Sequence, residues 1–278
     1  MAKNDILLLD SLLEKARAEY LRAKDGSELF ELFCFDQLLK DFDLSIDDLE
    51  DGWTDGSNDG GIDGMFALID GQCVDHDLIE GTVRREPTLS LHLFTCRRSD
   101  SFEQAPLNSL LSSLSELFDL RKADSDLTYP FSERILERRS IFREAFVSLA
   151  SKRPKLEIYT YYCCRGDTST LANNLTSRAE QIKSTLKALF SDVVVEFRFV
   201  GAAELLELAR RQRTYSLRLR YLETFISREG ENYVVLAPLP NYFDFVSDEQ
   251  GHLRRYLFDS NVRDFLGFGR VSGKDRSR

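Results

Sequence analysis

The feature that most constrains this chain is an acidic, glycine-rich stretch, residues 55–64, that leads directly into an apolar run at 65–69. The apolar run is typical of a buried strand, and glycines let the preceding backbone turn tightly. Such a loop brings its last carboxylate, Asp63, to the start of the strand. Because hard divalent cations prefer oxygen ligands, the stretch predicts a metal site at Asp63, with Asp59 as a second ligand. A tight loop whose carboxylates make only structural hydrogen bonds is the alternative.

Helices dominate the segment before this loop. Apolar residues at helical spacing predict an amphipathic helix over 5–23. Asp25, with Glu28 three residues later, is typical of the cap of a second helix, which continues to about residue 39. Residues 41–51 are acidic and predict turns.

The rest of the chain alternates between strand and helix patterns. Asp70 and Gly71 form a two-residue hairpin signal after the first strand. The further strands are predicted at 72–79, 88–95, 155–162, 193–200, 217–219 and 233–236, and the helices at 103–120, 132–151, 168–190 and 202–211.

From residue 25 to residue 162 the predicted order is helix, three strands, helices, strand. This order resembles the αβββαβ arrangement of the restriction-endonuclease-like core, and it predicts an α/β fold with a central mixed sheet flanked by helices. We expect three parts. These are a helical lead-in plus core over 1–165, an α/β extension over 166–225, and a further segment over 226–278 that ends in a disordered tail.

Charge and hydropathy limit the class of protein. Residues 1–80 hold 21 Asp and Glu against 6 Lys and Arg, while the whole chain has 47 against 37, so any DNA-binding surface is expected in the later part. A solvated acidic face is the alternative interpretation. We expect no membrane association, because apolar runs are short and the amino terminus lacks signal-peptide features, and we expect a cytoplasmic protein.

The five cysteines argue against a structural zinc site. They are odd in number, form no CxxC pair, and are accompanied by only three scattered histidines. They also lie within apolar or strand-like segments, so we expect buried, unreactive thiols.

Two motifs in the right order resemble the AIPR family, the abortive phage infection proteins. The first comprises Phe30 and Glu31 on a helix, the loop at 59–64 and a strand that ends near Thr95; the second is LFDSNVRDFLG at 257–267. The resemblance implies bacterial phage defence and a nuclease of the PD-(D/E)xK type. It also implies nucleic acid or a protein of the defence system as partner, and a homo-oligomer. Since the family continues beyond this length, it implies either a natural short form or a piece of a longer chain.

The resemblance assigns roles to particular positions. Glu31 would be the helix acid and Asp63 the strand acid, together binding Mg²⁺ or Mn²⁺, with Asp59 close by. Thr95 and Arg97 fall where the family has Gln or Glu and Lys. For Glu31, a surface position on an amphipathic helix stays open as the alternative.

The departure at the third and fourth positions has a chemical consequence. Thr95 offers a neutral hydroxyl, a weaker Mg²⁺ ligand than a carboxylate, and Arg97 has a planar head that cannot replace a compact ammonium. The sequence has no lysine between Lys40 and Lys122. We therefore expect a catalytically degenerate nuclease fold, with a silent regulator or partner of an active nuclease as the alternative.

Overall fold

A computed structural model describes residues 4–18, 20–42, 44–74, 86–211, 219, 221–226 and 233–247. The chain forms two compact units, Met1–Gln212 and Arg213–Arg278. In the described part of the second unit, β6 (Glu223–Ile226) pairs antiparallel with β7 (Tyr233–Leu236), and α8 (Leu239–Val246) follows.

The described part of the first unit contains the five strands β1 (Gly64–Ile69), β2 (Gln72–Cys73), β3 (Thr88–Arg97), β4 (Lys155–Cys164) and β5 (Val193–Val200). Its described helices are α1 (Asp5–Ala16), α2 (Gly26–Leu38), α3 (Ile46–Asp51), α4 (Gln104–Leu117), α5 (Glu133–Ser148), α6 (Asn173–Leu189) and α7 (Ala202–Arg210).

The five strands form one mixed sheet in the order β2-β1-β3-β4-β5. β1 is antiparallel to both β2 and β3, whereas β3, β4 and β5 are parallel. Asp70 and Gly71 both have positive φ, which suits the tight hairpin between β1 and β2. Parallel neighbours need long crossovers, and helices supply them.

Helices cover both faces of the sheet and enclose two cores. On one face, α4, α5 and α6 pack over Leu89, Leu91 and Leu93 of β3. On the other face, α1, α2, α3 and α7 pack over Phe94 and Cys96 of the same strand. The predicted central mixed sheet flanked by helices is confirmed.

Several element bounds differ from the sequence prediction, most clearly in three helices. α1 ends at Ala16 rather than at 23, because the following turn buries Tyr20, which donates to Asp36 at 3.0 Å. The acidic, turn-rich stretch at 41–51 also contains α3, which a capping box between Ser45 and Asp48 starts. α6 begins at 173 rather than 168, after a short 3-10 turn.

Several predicted segments lie wholly or partly outside the described residues. They are 75–79 of the predicted second strand, 217–218, the motif at 257–267 and the polar tail. The strand that pairs with β7 is β6, a few residues beyond the predicted 217–219. Where the structure describes the chain, no helix combines the length and apolar character needed to cross a membrane.

Candidate metal centre

Helix α2 carries Glu31 into the protein interior. The helix is capped by Asp25, whose side chain accepts hydrogen bonds from the backbone N–H groups of Ser27 and Glu28 at 2.7 and 3.0 Å. Glu31 is only 4 % exposed, so it is not a surface residue of an amphipathic helix. The indole Nε1 of Trp53 donates to its Oε2 at 2.7 Å.

Asp63 immediately precedes β1 and is fully buried. Its backbone N–H donates to the carbonyl of Phe94 at 2.8 Å, which joins it to β3. Its Oδ2 accepts from the backbone N–H of Cys96 at 2.5 Å. The carboxylate is therefore held in place by main-chain groups on a neighbouring strand rather than by loop packing alone.

Backbone hydrogen bonds join the two ends of the acidic loop and place Asp55 next to Asp63. The backbone N–H groups of Thr54 and Asp55 both donate to the carbonyl of Asp63, at 2.9 and 3.2 Å. The Thr54 hydroxyl donates to the carbonyl of Ile62 at 2.7 Å. Asp55 thus lies beside Asp63 although eight positions separate them in sequence.

Three carboxylates converge at this point. Oxygens of Glu31, Asp55 and Asp63 all lie within 4.8 Å of one another. Glu31 comes from α2, Asp55 from the start of the loop, and Asp63 from the position just before β1. Sequence reasoning found Glu31 and Asp63 but missed Asp55 as a ligand, even though it opens the loop.

Burial makes this cluster electrostatically costly. Desolvation raises the pKa of Glu31 to about 10. Desolvation also raises the pKa of Asp63 to about 8, although Arg97 and the Cys96 backbone N–H lower it in part. A bound cation would favour the ionised carboxylates, so the site is suited to one.

Arg97 lies at the position where the resemblance expects a lysine, and it contacts the cluster. Its Nη1 lies 3.2 Å from Oδ1 and 3.1 Å from Oδ2 of Asp63, and it also donates to the carbonyl of Cys96 at 2.7 Å. The side chain is 40 % exposed, so the guanidinium connects the buried carboxylate with solvent.

Thr95 and Asp59 serve the loop in this structure. The Thr95 hydroxyl is buried and donates to the carbonyl of Gly61 at 2.7 Å. The Oδ1 of Asp59 accepts from the backbone N–H of Gly61 at 2.6 Å. Asp59 lies outside the group of converging carboxylates, and both side chains fix the turn that leads to Asp63.

Comparison with protein-family models, with curated proteins and with solved structures gave no match.

The donor set fits a hard divalent cation. Oxygens that share one Mg²⁺ at about 2.1 Å lie about 3 to 4 Å apart. Carboxylates already within 4.8 Å of one another reach that spacing by movements of less than about one ångström. Glu31, Asp55 and Asp63 would hold the ion.

Proposed function

We propose that this protein is a divalent-metal-dependent phosphodiester hydrolase of the nuclease type, with weakened catalysis. The observation that carries the proposal is the convergence of the Glu31, Asp55 and Asp63 carboxylates beside the Arg97 guanidinium. Phosphodiester cleavage needs charge neutralisation at the phosphate and an activated water, and a carboxylate-bound metal ion supplies both.

The sheet topology supports a restriction-endonuclease-like fold. A helix bearing one acid, α2, precedes a meander of β1, β2 and β3, and helices then lead to β4 parallel to β3. Asp63 stands at the start of β1, and Arg97 is the last residue of β3. These are the places where such a fold assembles its acidic site.

The chain's own residues divide the work. Glu31, Asp55 and Asp63 bind and orient the ion, and Trp53 fixes the rotamer of Glu31. Arg97 is exposed enough to contact a phosphate and to stabilise charge that develops there. Its contact with both oxygens of Asp63 competes with the metal, which is the reason that we infer weakened catalysis.

The biological role we propose is phage defence in the cytoplasm, with nucleic acid as substrate. This rests on the resemblance of the loop at 59–64 and the motif at 257–267 to the AIPR family. The second candidate is a silent partner of an active nuclease. The Thr95 hydroxyl favours this candidate, because it donates a hydrogen bond to the Gly61 carbonyl and so has a structural role where an active nuclease has a metal ligand.

Cleavage assays test the proposed activity. We expect slow, Mn²⁺-dependent cleavage of DNA or RNA by the wild type, reduced at least about 100-fold by Asp63→Asn, because the metal loses a buried ligand. Asp51→Asn is the matched control, since Asp51 is exposed at the end of α3 and outside the carboxylate group. No cleavage of any substrate by a metal-loaded wild type would favour the silent partner.

Metal affinity is a separate prediction that does not require activity. Mn²⁺ titration followed by electron paramagnetic resonance should show one tight site per chain, weakened at least about tenfold by Asp55→Asn, because one of three converging carboxylates is lost. The same loss should not occur for Asp51→Asn. Equal affinities for these two variants would contradict the placement of the ion.

A further prediction concerns Arg97→Lys. A lysine side chain is shorter than that of arginine, so its compact ammonium is expected to contact Asp63 less closely than Arg97 Nη1, which lies near both carboxylate oxygens. We expect Mn²⁺ affinity to rise and cleavage to increase about tenfold, because the Asp63 carboxylate becomes more available to the ion. Arg98→Lys, on the neighbouring residue, is the control. A drop in both quantities would mean that Arg97 supports the site rather than restrains it.

A further inference from the structure

A second cluster of potential ligands lies next to the carboxylates. The sulfurs of Cys34, Cys96 and Cys163 are all within 4.8 Å of one another, and each residue is at most 1 % exposed. They come from α2, β3 and β4. None of the three is part of a disulfide.

The fold explains how residues so far apart in sequence meet. Cys96 and Cys163 are direct neighbours across the parallel pair β3–β4. Both face the core under α2, where Cys34 lies. Cys164, the next residue, has a different environment, since its sulfur accepts a hydrogen bond from the backbone N–H of Gly166 at 3.1 Å.

We propose that Cys34, Cys96 and Cys163 form a three-sulfur binding site for a soft metal ion, and that the ion is Cu⁺. Thiolates select soft ions such as Cu⁺ and Zn²⁺ over Mg²⁺. Structural Zn²⁺ takes four ligands, whereas the converging group among the described residues offers three sulfurs. A three-coordinate soft ion is therefore the better fit.

The spacing supports this assignment. Sulfurs that share an ion at about 2.3 Å lie about 4 Å apart. Since the sulfur–sulfur distances here are at most 4.8 Å, each pair needs to shorten by less than about one ångström to share an ion. Each thiol that binds as a thiolate releases its proton to solvent.

The thiol site and the carboxylate site share two elements. Cys34 follows Glu31 by three residues on α2, and Cys96 precedes Arg97 on β3 while its backbone N–H binds Asp63. An ion bound to the three sulfurs would cross-link α2, β3 and β4 next to the carboxylate site. The thiol site itself does not depend on whether the carboxylates support catalysis.

The experiment uses the full chain, purified without oxygen and loaded with Cu⁺ in competition with a coloured Cu⁺ chelator. We expect one Cu⁺ per chain, and X-ray absorption should count three sulfurs and no nitrogen or oxygen around it. Cys34→Ala and Cys163→Ala should each weaken Cu⁺ binding at least about tenfold, because the ion keeps only two sulfurs. Cys73→Ala, on β2 and outside the cluster, is the matched control and should bind as the wild type does.

Several results would overturn the assignment. They are a wild type that gives up all Cu⁺ to the chelator, a site with two sulfurs or fewer, or a loss of Cu⁺ in Cys73→Ala. Zn²⁺ held on the same sulfurs in preference to Cu⁺ would overturn the choice of ion. The sulfur count on the wild type does not depend on the variants, so it decides the question even if a buried Cys→Ala substitution prevents folding.

Discussion

A Glu31→Gln variant is expected to unfold at higher urea concentration than the wild type at about pH 8, and this advantage should shrink toward pH 5. Glu31 is buried, and burial raises its pKa to about 10. In the unfolded chain a glutamate titrates near about 4.3. Between these two values the folded state holds a proton that the unfolded state has lost.

The sign of the effect follows from linkage. When the folded state binds more protons, the free energy of unfolding falls as pH rises, by about 1.4 kcal/mol per pH unit and per group. From about pH 5 to about pH 8, Glu31 accounts for a loss of up to about 4 kcal/mol. Glutamine has no such proton, and its amide oxygen still accepts the hydrogen bond from Trp53.

Asp63 acts in the same direction, because burial raises its pKa to about 8. The Glu31→Gln variant therefore keeps part of the pH dependence. The measurement is urea unfolding of the metal-free protein at several pH values, with Glu137→Gln, exposed on α5, as the control. Parallel pH profiles for Glu31→Gln and the wild type would contradict the buried, protonated Glu31.

With a divalent cation bound, the wild type should instead be more stable than Glu31→Gln at about pH 8. Since the ion binds the ionised carboxylates, Mn²⁺ should stabilise the wild type more at about pH 8 than at about pH 5. Glu31→Gln should gain less from the ion. The pH dependence without metal tests the protonated form of the three-carboxylate cluster, and the response to metal tests its ionised form.

The sequence pattern was sufficient for most of the framework. Alternating and apolar runs predicted β1, β3, β4 and β5, and the Asp70–Gly71 signal predicted the hairpin, because strands and tight turns depend on local preferences. α3 was missed, since only the capping box between Ser45 and Asp48 and the buried Leu49 distinguish it from an acidic turn.

The carboxylate site was predictable only in part. Asp63 and Glu31 were predicted because Asp63 directly precedes a predicted strand and Glu31 lies on a predicted helix. Asp55 depends on backbone hydrogen bonds from Thr54 and Asp55 to the Asp63 carbonyl, which leave no periodic signal. The strand pattern predicted where Thr95 lies. It did not predict that the Thr95 hydroxyl donates to the Gly61 carbonyl, because the loop conformation determines that contact.

The cysteine cluster illustrates the same limit. Burial of Cys34, Cys96 and Cys163 was expected from their apolar surroundings. Their convergence follows from the register of β3 on β4 and from the packing of α2, which join residues 62 to 129 positions apart in sequence. Spacing rules for metal motifs consider short separations, so they do not detect it.

The loop that delivers Asp63 should be highly sensitive to a single added methyl group. Gly61 has φ +84°, and a Cβ there would lie 2.8 Å from the backbone nitrogen of Leu110 and 3.2 Å from its Cα, on α4. Helix backbone cannot move aside as a flexible side chain can. The Gly61 carbonyl also accepts the Thr95 hydroxyl, so a shift breaks a buried hydrogen bond.

We expect Gly61→Ala to lower the free energy of unfolding by about 3 kcal/mol, from the left-handed backbone and the steric clash together. Gly56→Ala is the matched control in the same loop. Gly56 also has positive φ, at +149°, and a Cβ there meets nothing within 4 Å, so only backbone strain of about 1 kcal/mol is expected. Urea unfolding of both variants compares a strained position where the added Cβ clashes with a strained position where it does not.

Mn²⁺ affinity gives the second measurement on the same pair. Because Gly61 lies two residues before Asp63, displacement of the loop from α4 should pull that carboxylate away from Glu31 and Asp55. Gly61→Ala should therefore bind Mn²⁺ at least about tenfold more weakly than Gly56→Ala under conditions where both are folded. Equal stabilities and equal affinities would mean that the loop does not depend on its close approach to α4.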